Sequence, residues 1–254
     1  MNFWAIIILI GLVLAFVLLF RILRSVLKTA IYFFFLCMLA LFIFGILVYT
    51  DAASFKKNIG NSTNVFLLVD NNNLLAGIKL DPVQERSVLY TQETLSDFQK
   101  SISENKIDAI KKDSYKVFIF NMSVLSDVES NLTFQDFTLP ASAARELLQS
   151  EKPFTFVVDY YAKKQNQDND LFRAALQKKL VETFKTEQQF KDAVFSLFIL
   201  EFFPEKIPSI IKHIRQGTIV IYPQSALFSA LQLSPQGFID DALHNQIQQN
   251  KVKT

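Results

Sequence analysis

The side chains in this sequence that could bind a ligand stand where predicted strands end. Asp70, Asn121, Asp159 and Ser225 each follow a short apolar run that is typical of a buried strand. In open α/β sheets, ligands bind beyond the carboxyl ends of the strands. We therefore expect these four residues to contribute to a ligand site. For each of them, a turn or a helix cap is the alternative role.

Ser225 also invites comparison with a catalytic nucleophile, because it follows a predicted strand and opens a predicted helix, as a nucleophile elbow does. The order Ser225, Asp240 or Asp241, and His244 matches one chain order of a serine triad. However, the surrounding Pro-Gln-Ser-Ala-Leu lacks both glycines of that motif. The acid and the histidine would also share one helix, where the acid could hardly orient the histidine toward Ser225. We therefore expect a helix N-cap at Ser225 and assign no catalytic residue.

Metal and cofactor binding are not indicated by the residue pattern. His213 and His244 are the only histidines, and they do not form an H-x-x-x-H pair. The single cysteine, Cys37, excludes a disulfide within the chain and a zinc site built from several cysteines. The chain has only 6 glycines and contains neither a phosphate-binding loop nor a dinucleotide fingerprint. We therefore expect no cofactor and no metal.

The elements that would position these side chains predict a mixed α/β sheet of about five strands, covered by helices. A leading β-hairpin followed by strands that alternate with helices is typical of this class. The strands lack clean alternation of apolar and polar residues, as expected for strands buried on both faces. The predicted strands are 65–69, 74–79, 116–120, 154–158 and 218–222, and the predicted helices are 94–112, 140–150, 171–185, 187–203, 208–216, 225–233 and 235–248.

Several connecting segments carry their own signals. The run Asp70-Asn-Asn-Asn73 predicts the turn of the leading hairpin, because Asn and Asp adopt left-handed backbone angles readily. Gly217 is expected to cap the preceding helix. Residues 83–90 stay unassigned, and residues 121–139 are expected to form a loop. The very apolar segment 194–203 is expected to lie in a central buried helix, with a partner-binding surface as the alternative.

The first fifty residues contain two apolar runs, 3–20 and 31–48, separated by a stretch that carries Arg21, Arg24 and Lys28. About 20 helical residues span the roughly 30 Å core of a bilayer. A cleaved signal peptide is disfavoured, because the positive charge follows the first run and no small-residue cleavage pattern precedes Arg21. We therefore predict a two-pass transmembrane hairpin over residues 1–50, with helices at about 3–20 and 31–49 and a basic loop at 21–30.

The remainder is expected to form one domain outside the cytoplasm. Residues 51–64 are polar and are expected to be a juxtamembrane linker, followed by an α/β domain at 65–248 and a frayed tail at 249–254. The three cations of the basic loop should stay on the cytoplasmic side of the cytoplasmic membrane, which places both termini and the domain on the other side. Lys56 and Lys57 favour the reverse, so a cytoplasmic domain is the alternative.

The charge balance argues against nucleic acid as a partner. All 24 acidic residues follow Thr50, as do all but three of the 26 basic residues, so the domain has a net charge of about −1. Nucleic-acid binding requires a clustered basic face. The expected partners are therefore the lipid bilayer and either a protein or a second copy of the chain.

Three functions are compatible with this pattern. The leading hypothesis is a membrane-anchored, extracytoplasmic module for protein binding or envelope assembly. The second is a membrane-tethered hydrolase with a site at the strand ends, using Asp70, Asp159 or Ser225. The third is an extracytoplasmic solute sensor that signals through the membrane segment.

Overall fold

The computed structural model describes residues 3–82, 86–134, 137–166, 169–205 and 207–233. The predicted helix 235–248, the predicted tail 249–254 and the residues Asp240, Asp241 and His244 lie outside the described residues. The chain divides into two compact units, Met1–Thr50 and Asp51–Thr254.

The prediction of a two-helix transmembrane hairpin is wrong, because one helix, α1, runs without interruption from Phe3 to Asn58. The expected loop, 21–30, contains no Gly, Pro, Asn or Asp, and its Arg, Leu, Lys and Ala residues are strong helix formers. A basic stretch between two apolar runs is therefore no reason for a helix to stop. Within the described residues, one segment, Val26–Asn58, is long and apolar enough to cross a membrane, a test that signal sequences near an N-terminus also pass.

The second unit is built on a mixed sheet of five strands with helices packed against it, as the sequence predicts. The strands are β1 (Asn64–Asp70), β2 (Asn73–Asp81), β3 (Arg86–Leu89), β4 (Lys116–Asn121) and, late in the chain, β7 (Ile219–Tyr222). Their order in the sheet is β3-β2-β1-β4-β7. β1 and β4 are parallel neighbours, whereas the pairs β1–β2, β2–β3 and β4–β7 are antiparallel.

The remaining elements lie between and after these strands. A separate two-stranded sheet joins β5 (Asn131–Phe134) and β6 (Phe137–Pro140), and a 3₁₀ helix at Met122–Asp127 precedes it. The helices are α2 (Gln92–Ser103), α3 (Asp108–Lys111), α4 (Ala141–Gln149), α5 (Pro153–Lys164), α6 (Asp170–Phe184), α7 (Glu187–Glu205), α8 (Ile207–Arg215) and α9 (Ala226–Leu233).

Several predictions of local structure differ from what is observed, and the predicted helix 94–112 is divided into α2 and α3. Residues 154–158, predicted as a strand, lie in helix α5, and the fifth strand of the sheet is β3, in the unassigned segment 83–90. The buried residues of α5 recur with helical spacing once the window extends beyond Val158, at Phe154, Val157, Val158, Tyr161 and Ala162. The expected loop 121–139 contains the 3₁₀ helix, β5 and most of β6.

Both faces of the five-stranded sheet are covered, which explains the apolar composition of its strands. On one face, Val65, Leu67 and Val117 pack with Leu95 and Phe98 of α2. On the opposite face lies the larger core, to which the strands contribute Phe66, Leu68, Phe118 and Phe120. Helix α7 contributes Phe195, Phe198 and Phe202, all buried, so its apolar segment lies in the core of this unit.

The last two turns of α1, residues 51–58, fall in the segment expected to be a linker and belong to the second unit. The ring of Phe55 meets that of Phe228 in α9 edge to face, with centroids 5.2 Å apart. Asp51 Oδ2 accepts a hydrogen bond from the backbone N–H of Leu227 at 3.3 Å. These contacts join the end of α1 to the fold of the second unit.

The predicted turn at residues 70–73 forms the two-residue loop of the β1–β2 hairpin. Asp70 pairs with Asn73, and Asn71 and Asn72 between them have φ values of 47° and 66°. Positive φ at both loop positions defines a turn that matches the twist of the two strands. Gln99 of α2 supports the loop, because its amide accepts from Leu74 N at 2.5 Å and donates to Asn72 O at 2.7 Å.

We expect Asn72→Val to lower the free energy of unfolding by about 1–2 kcal/mol, because a β-branched side chain is strained at positive φ. Asn73→Val is the matched control, since Asn73 is exposed in β2, where valine is favoured. Urea unfolding of the full-length chain in detergent, followed by circular dichroism, measures both changes. Equal stability of the two variants would contradict this description of the turn.

Candidate functional site

Two of the four predicted site residues meet at one edge of the sheet. Because β1 and β4 are parallel, their carboxyl ends lie side by side, with Val69 opposite Asn121 and Asp70 next along β1. A depression of about 390 Å³ opens at this edge. We call it the first depression. Its lining includes side chains of both charges, two amides and three hydroxyls, contributed by Asp70, Asn121, Ser123, Ser126, Ser142, Arg145, Glu146 and Gln149.

Several polar side chains of the first depression form hydrogen bonds to other groups of the second unit. Asn121 Oδ1 accepts from the backbone N–H of Ser123 at 3.0 Å and so caps the 3₁₀ helix. Arg145 donates to the backbone oxygens of Leu125 and Val128, at 3.0 and 3.3 Å. Gln149 Nε2 donates to Asp70 Oδ2 at 2.9 Å. These side chains therefore hold the edge of the sheet in shape, and they give its surface a mixed charge.

Ser225 lies at the other end of the strands, near the point where β4 begins. Strand β7 is antiparallel to β4, so Tyr222 at its end pairs with Val117 near the start of β4. The backbone oxygen of Ser225 accepts from Ser229 N at 3.0 Å, which places Ser225 at the start of α9. This is the position of a helix N-cap, the alternative role expected for this residue.

Asp159 also lies away from the first depression. It was expected to follow a strand, but it belongs to helix α5. Its carboxylate forms a salt bridge with Arg173 of α6, and both side chains are partly exposed. Asp159 therefore joins two neighbouring helices.

The structure brings together a polar cluster that the sequence does not reveal. Asp127 Oδ2 accepts from Ser209 Oγ at 2.5 Å and lies 2.9 Å from Nε2 of the buried His213. His213 Nδ1 lies 2.8 Å from Thr218 Oγ1. The hydrogen bond from Ser209 is the main cause that lowers the pKa of Asp127, and His213 acts in the same direction. Asp127 is 86 positions from His213, so no local residue spacing in the sequence predicts this pair.

A hydroxyl, an imidazole and a carboxylate in a row are also the parts of an activated nucleophile. Here, however, Thr218 Oγ1 donates to the backbone oxygen of His213 at 3.1 Å. Thr218 N bonds to the same oxygen, and Gly217 N bonds to Ile214 O, with Gly217 at φ 70°. This pattern is a Schellman motif, with the predicted glycine cap in place. The hydrogen bonds of this cluster therefore hold the end of α8 against the 3₁₀ helix.

Among the described residues, no group of three or more His, Cys, Asp or Glu side chains lies close enough to hold a metal ion.

We expect Asp127→Ala to lower the free energy of unfolding by about 2–3 kcal/mol, because it leaves the buried His213 and the Ser209 hydroxyl without their acceptor. Asp113→Ala, at an exposed position, should change it by no more than about 0.5 kcal/mol. Urea unfolding of both full-length variants at pH about 7 measures the difference, since the depressed pKa keeps Asp127 ionised there. A loss of equal size in both variants would show that the cluster contributes no specific stability.

A comparison of the chain with protein-family models, with characterised proteins and with solved structures finds no match. The function is therefore inferred from the chemistry and placement of the residues described above.

Proposed function

We propose that this chain is a membrane-anchored binding module, in which α1 holds the second unit at a bilayer. The observation that carries the proposal is the segment Val26–Asn58, whose apolar window has no part buried against the protein. Residues 29–50 contain no charged side chain and extend about 33 Å as a helix. This length matches the roughly 30 Å hydrocarbon core of a bilayer.

The second unit is proposed to lie on the extracytoplasmic side. Arg21, Arg24 and Lys28 precede the charge-free stretch, and Lys56 and Lys57 follow it. Lys and Arg near a membrane segment favour the cytoplasmic side, and acidic residues such as Asp51 contribute little. Three cations against two thus support a cytoplasmic position for the residues before the stretch.

The binding surface is proposed to be the first depression. Its exposed Glu146 and Gln149, beside Asp70 and the guanidinium of Arg145, offer donors, acceptors and both charges to an approaching surface. Such a mixed polar surface suits a protein partner that brings complementary polar groups. Nothing in this arrangement requires a chemical step, so binding is the activity that its geometry supports best.

Photo-crosslinking in washed membranes tests this proposal. A photoreactive residue replaces Glu146, at the first depression, or Glu93, an exposed residue of α2 that serves as the matched control. We expect the full-length chain to pellet with the membranes and to form a discrete adduct from position 146 that position 93 does not give. Adding Asp70→Ala should reduce the yield roughly fivefold or more, if the lost contact contributes about 1 kcal/mol.

Two results would contradict the proposal. Full-length protein in the supernatant after ultracentrifugation without detergent would exclude the anchor. Adducts of equal yield from positions 146 and 93, unaffected by Asp70→Ala, would exclude the first depression as the binding surface.

A further inference from the structure

Helix α7 is joined to strand β2 by a buried carboxylate at an irregular point of the strand. The pairing of β1 with β2 shifts register where Ala76 pairs with Leu68 and Leu74 with Val69, so Leu75 is an extra residue, a β-bulge. Strand β3 pairs with β2 only from Ile78 onward. On the side that faces away from β1, the backbone of β2 between these two points therefore requires partners from outside the sheet.

Two side chains one turn apart on α7 supply these partners. Gln188 Nε2 donates to the backbone oxygen of Leu75 at 3.0 Å and to Asp192 Oδ1 at 2.9 Å. The same Oδ1 accepts from the backbone N–H of Gly77 at 3.0 Å. We call this set of contacts the α7–β2 joint.

The carboxylate at the centre of the joint is incompletely satisfied. Asp192 has 0% of its surface exposed, and among the described residues its second oxygen, Oδ2, has no hydrogen-bond partner. An ionised carboxylate with one unpartnered buried oxygen is unfavourable, whereas the protonated acid carries no net charge to solvate. Burial accordingly raises the pKa of Asp192 to about 7, against the opposing effect of hydrogen bonds from the Gly77 backbone, the Gln188 side chain and the Tyr90 backbone.

The charged groups around the joint do little to offset this cost. Lys191, next to Asp192 on α7, favours the ionised form and is the weakest of the influences on its pKa. Burial lowers the pKa of Lys191 itself, and its charge also interacts with Glu187 on α7 and Glu151 in the connection between α4 and α5. Tyr90, directly after β3, has its pKa raised by burial and by the charge of Asp192.

The joint also forms part of a second depression of about 390 Å³. Leu74 and Leu75 of β2 line it together with Gln188 and Lys191 of α7. Gln188 thus contacts Asp192 and the bulge while it faces this depression. A change in the charge of Asp192 would act on Gln188 first, and through Gln188 on the wall of the depression.

We propose that protonation of Asp192 controls the α7–β2 joint. The joint is closed, with its hydrogen bonds formed, while Asp192 is protonated, and it opens more readily when Asp192 ionises. Loosening frees the bulge of β2 and the first turns of α7, and it reshapes the second depression between them. This inference concerns the second unit alone and does not depend on the proposed membrane anchor or on the first depression.

The direction of the pH dependence follows from proton linkage. An unfolded Asp titrates near pH 4, whereas Asp192 in the closed joint titrates at about 7. Between these values the closed joint holds a proton that the open joint has released. The joint therefore weakens as pH rises through this interval and becomes constant above it.

Hydrogen–deuterium exchange of the full-length chain in detergent micelles tests the proposal at about pH 5.5 and about pH 8, after correction for the intrinsic exchange rate. We expect amides in 74–80 and 188–195 to lose roughly 10- to 30-fold of their protection at the higher pH, as linkage across these pKa values requires. Asp192→Asn keeps the shape and an acceptor but cannot ionise, so its protection should change roughly twofold at most. Asp97→Asn, at an exposed position of α2, should behave like the wild type.

Lys191→Gln provides a second, independent variant that retains Asp192. Because Lys191 favours the ionised carboxylate, its removal should move the midpoint of the loosening to higher pH. The proposal fails if wild type and Asp192→Asn show the same pH dependence in these segments. It also fails if Asp192→Asn does not fold and the midpoint of Lys191→Gln equals that of the wild type.

Discussion

The bare apolar surface of α1 is the feature that most constrains the environment of this chain. Phe33, Leu41 and Phe42 are each about two thirds exposed, and large apolar side chains occur all round the charge-free stretch. A helix that is hydrophobic on every side requires an apolar environment. Each such side chain contributes roughly 1.5–3 kcal/mol when it leaves water. The described residues leave this stretch uncovered, and in the proposed membrane anchor lipid would supply the cover.

Local backbone chemistry made part of the fold predictable, whereas the extent of the helices was harder to read. The Asn-rich turn of the β1–β2 hairpin and the cap at Gly217 depend on residues that adopt left-handed angles, and each lies where the sequence indicates. The apolar run 154–158 fits both a strand and a buried helix, and only the residues beyond it distinguish the two. The prediction of a loop in the basic stretch of α1 is wrong, because a pattern of charges bears on membrane placement and does not indicate a turn.

Only part of the candidate site could be predicted, because whether two residues meet depends on the directions of the strands that precede them. Asp70 and Asn121 meet because β1 and β4 are parallel, whereas β7 runs the other way and carries Ser225 to the far edge. Periodicity identifies a strand without giving its direction. The pairing of Asp127 with His213, and of Asp192 with Gly77, joins residues about a hundred positions apart. Such polar contacts inside an apolar core depend on tertiary packing, which no local pattern encodes.

The accessibility of Cys37 in intact membranes tests the central claim most directly. Cys37 is the only cysteine, it is exposed on α1, and it lies near the middle of the charge-free stretch. If that stretch spans a bilayer, a water-soluble maleimide will not label the thiol in membranes, because hydrocarbon excludes both the reagent and the thiolate. Labelling should then occur after solubilisation in sodium dodecyl sulfate. Labelling in intact membranes at the rate of a cysteine placed at the exposed position 93 would contradict the membrane anchor.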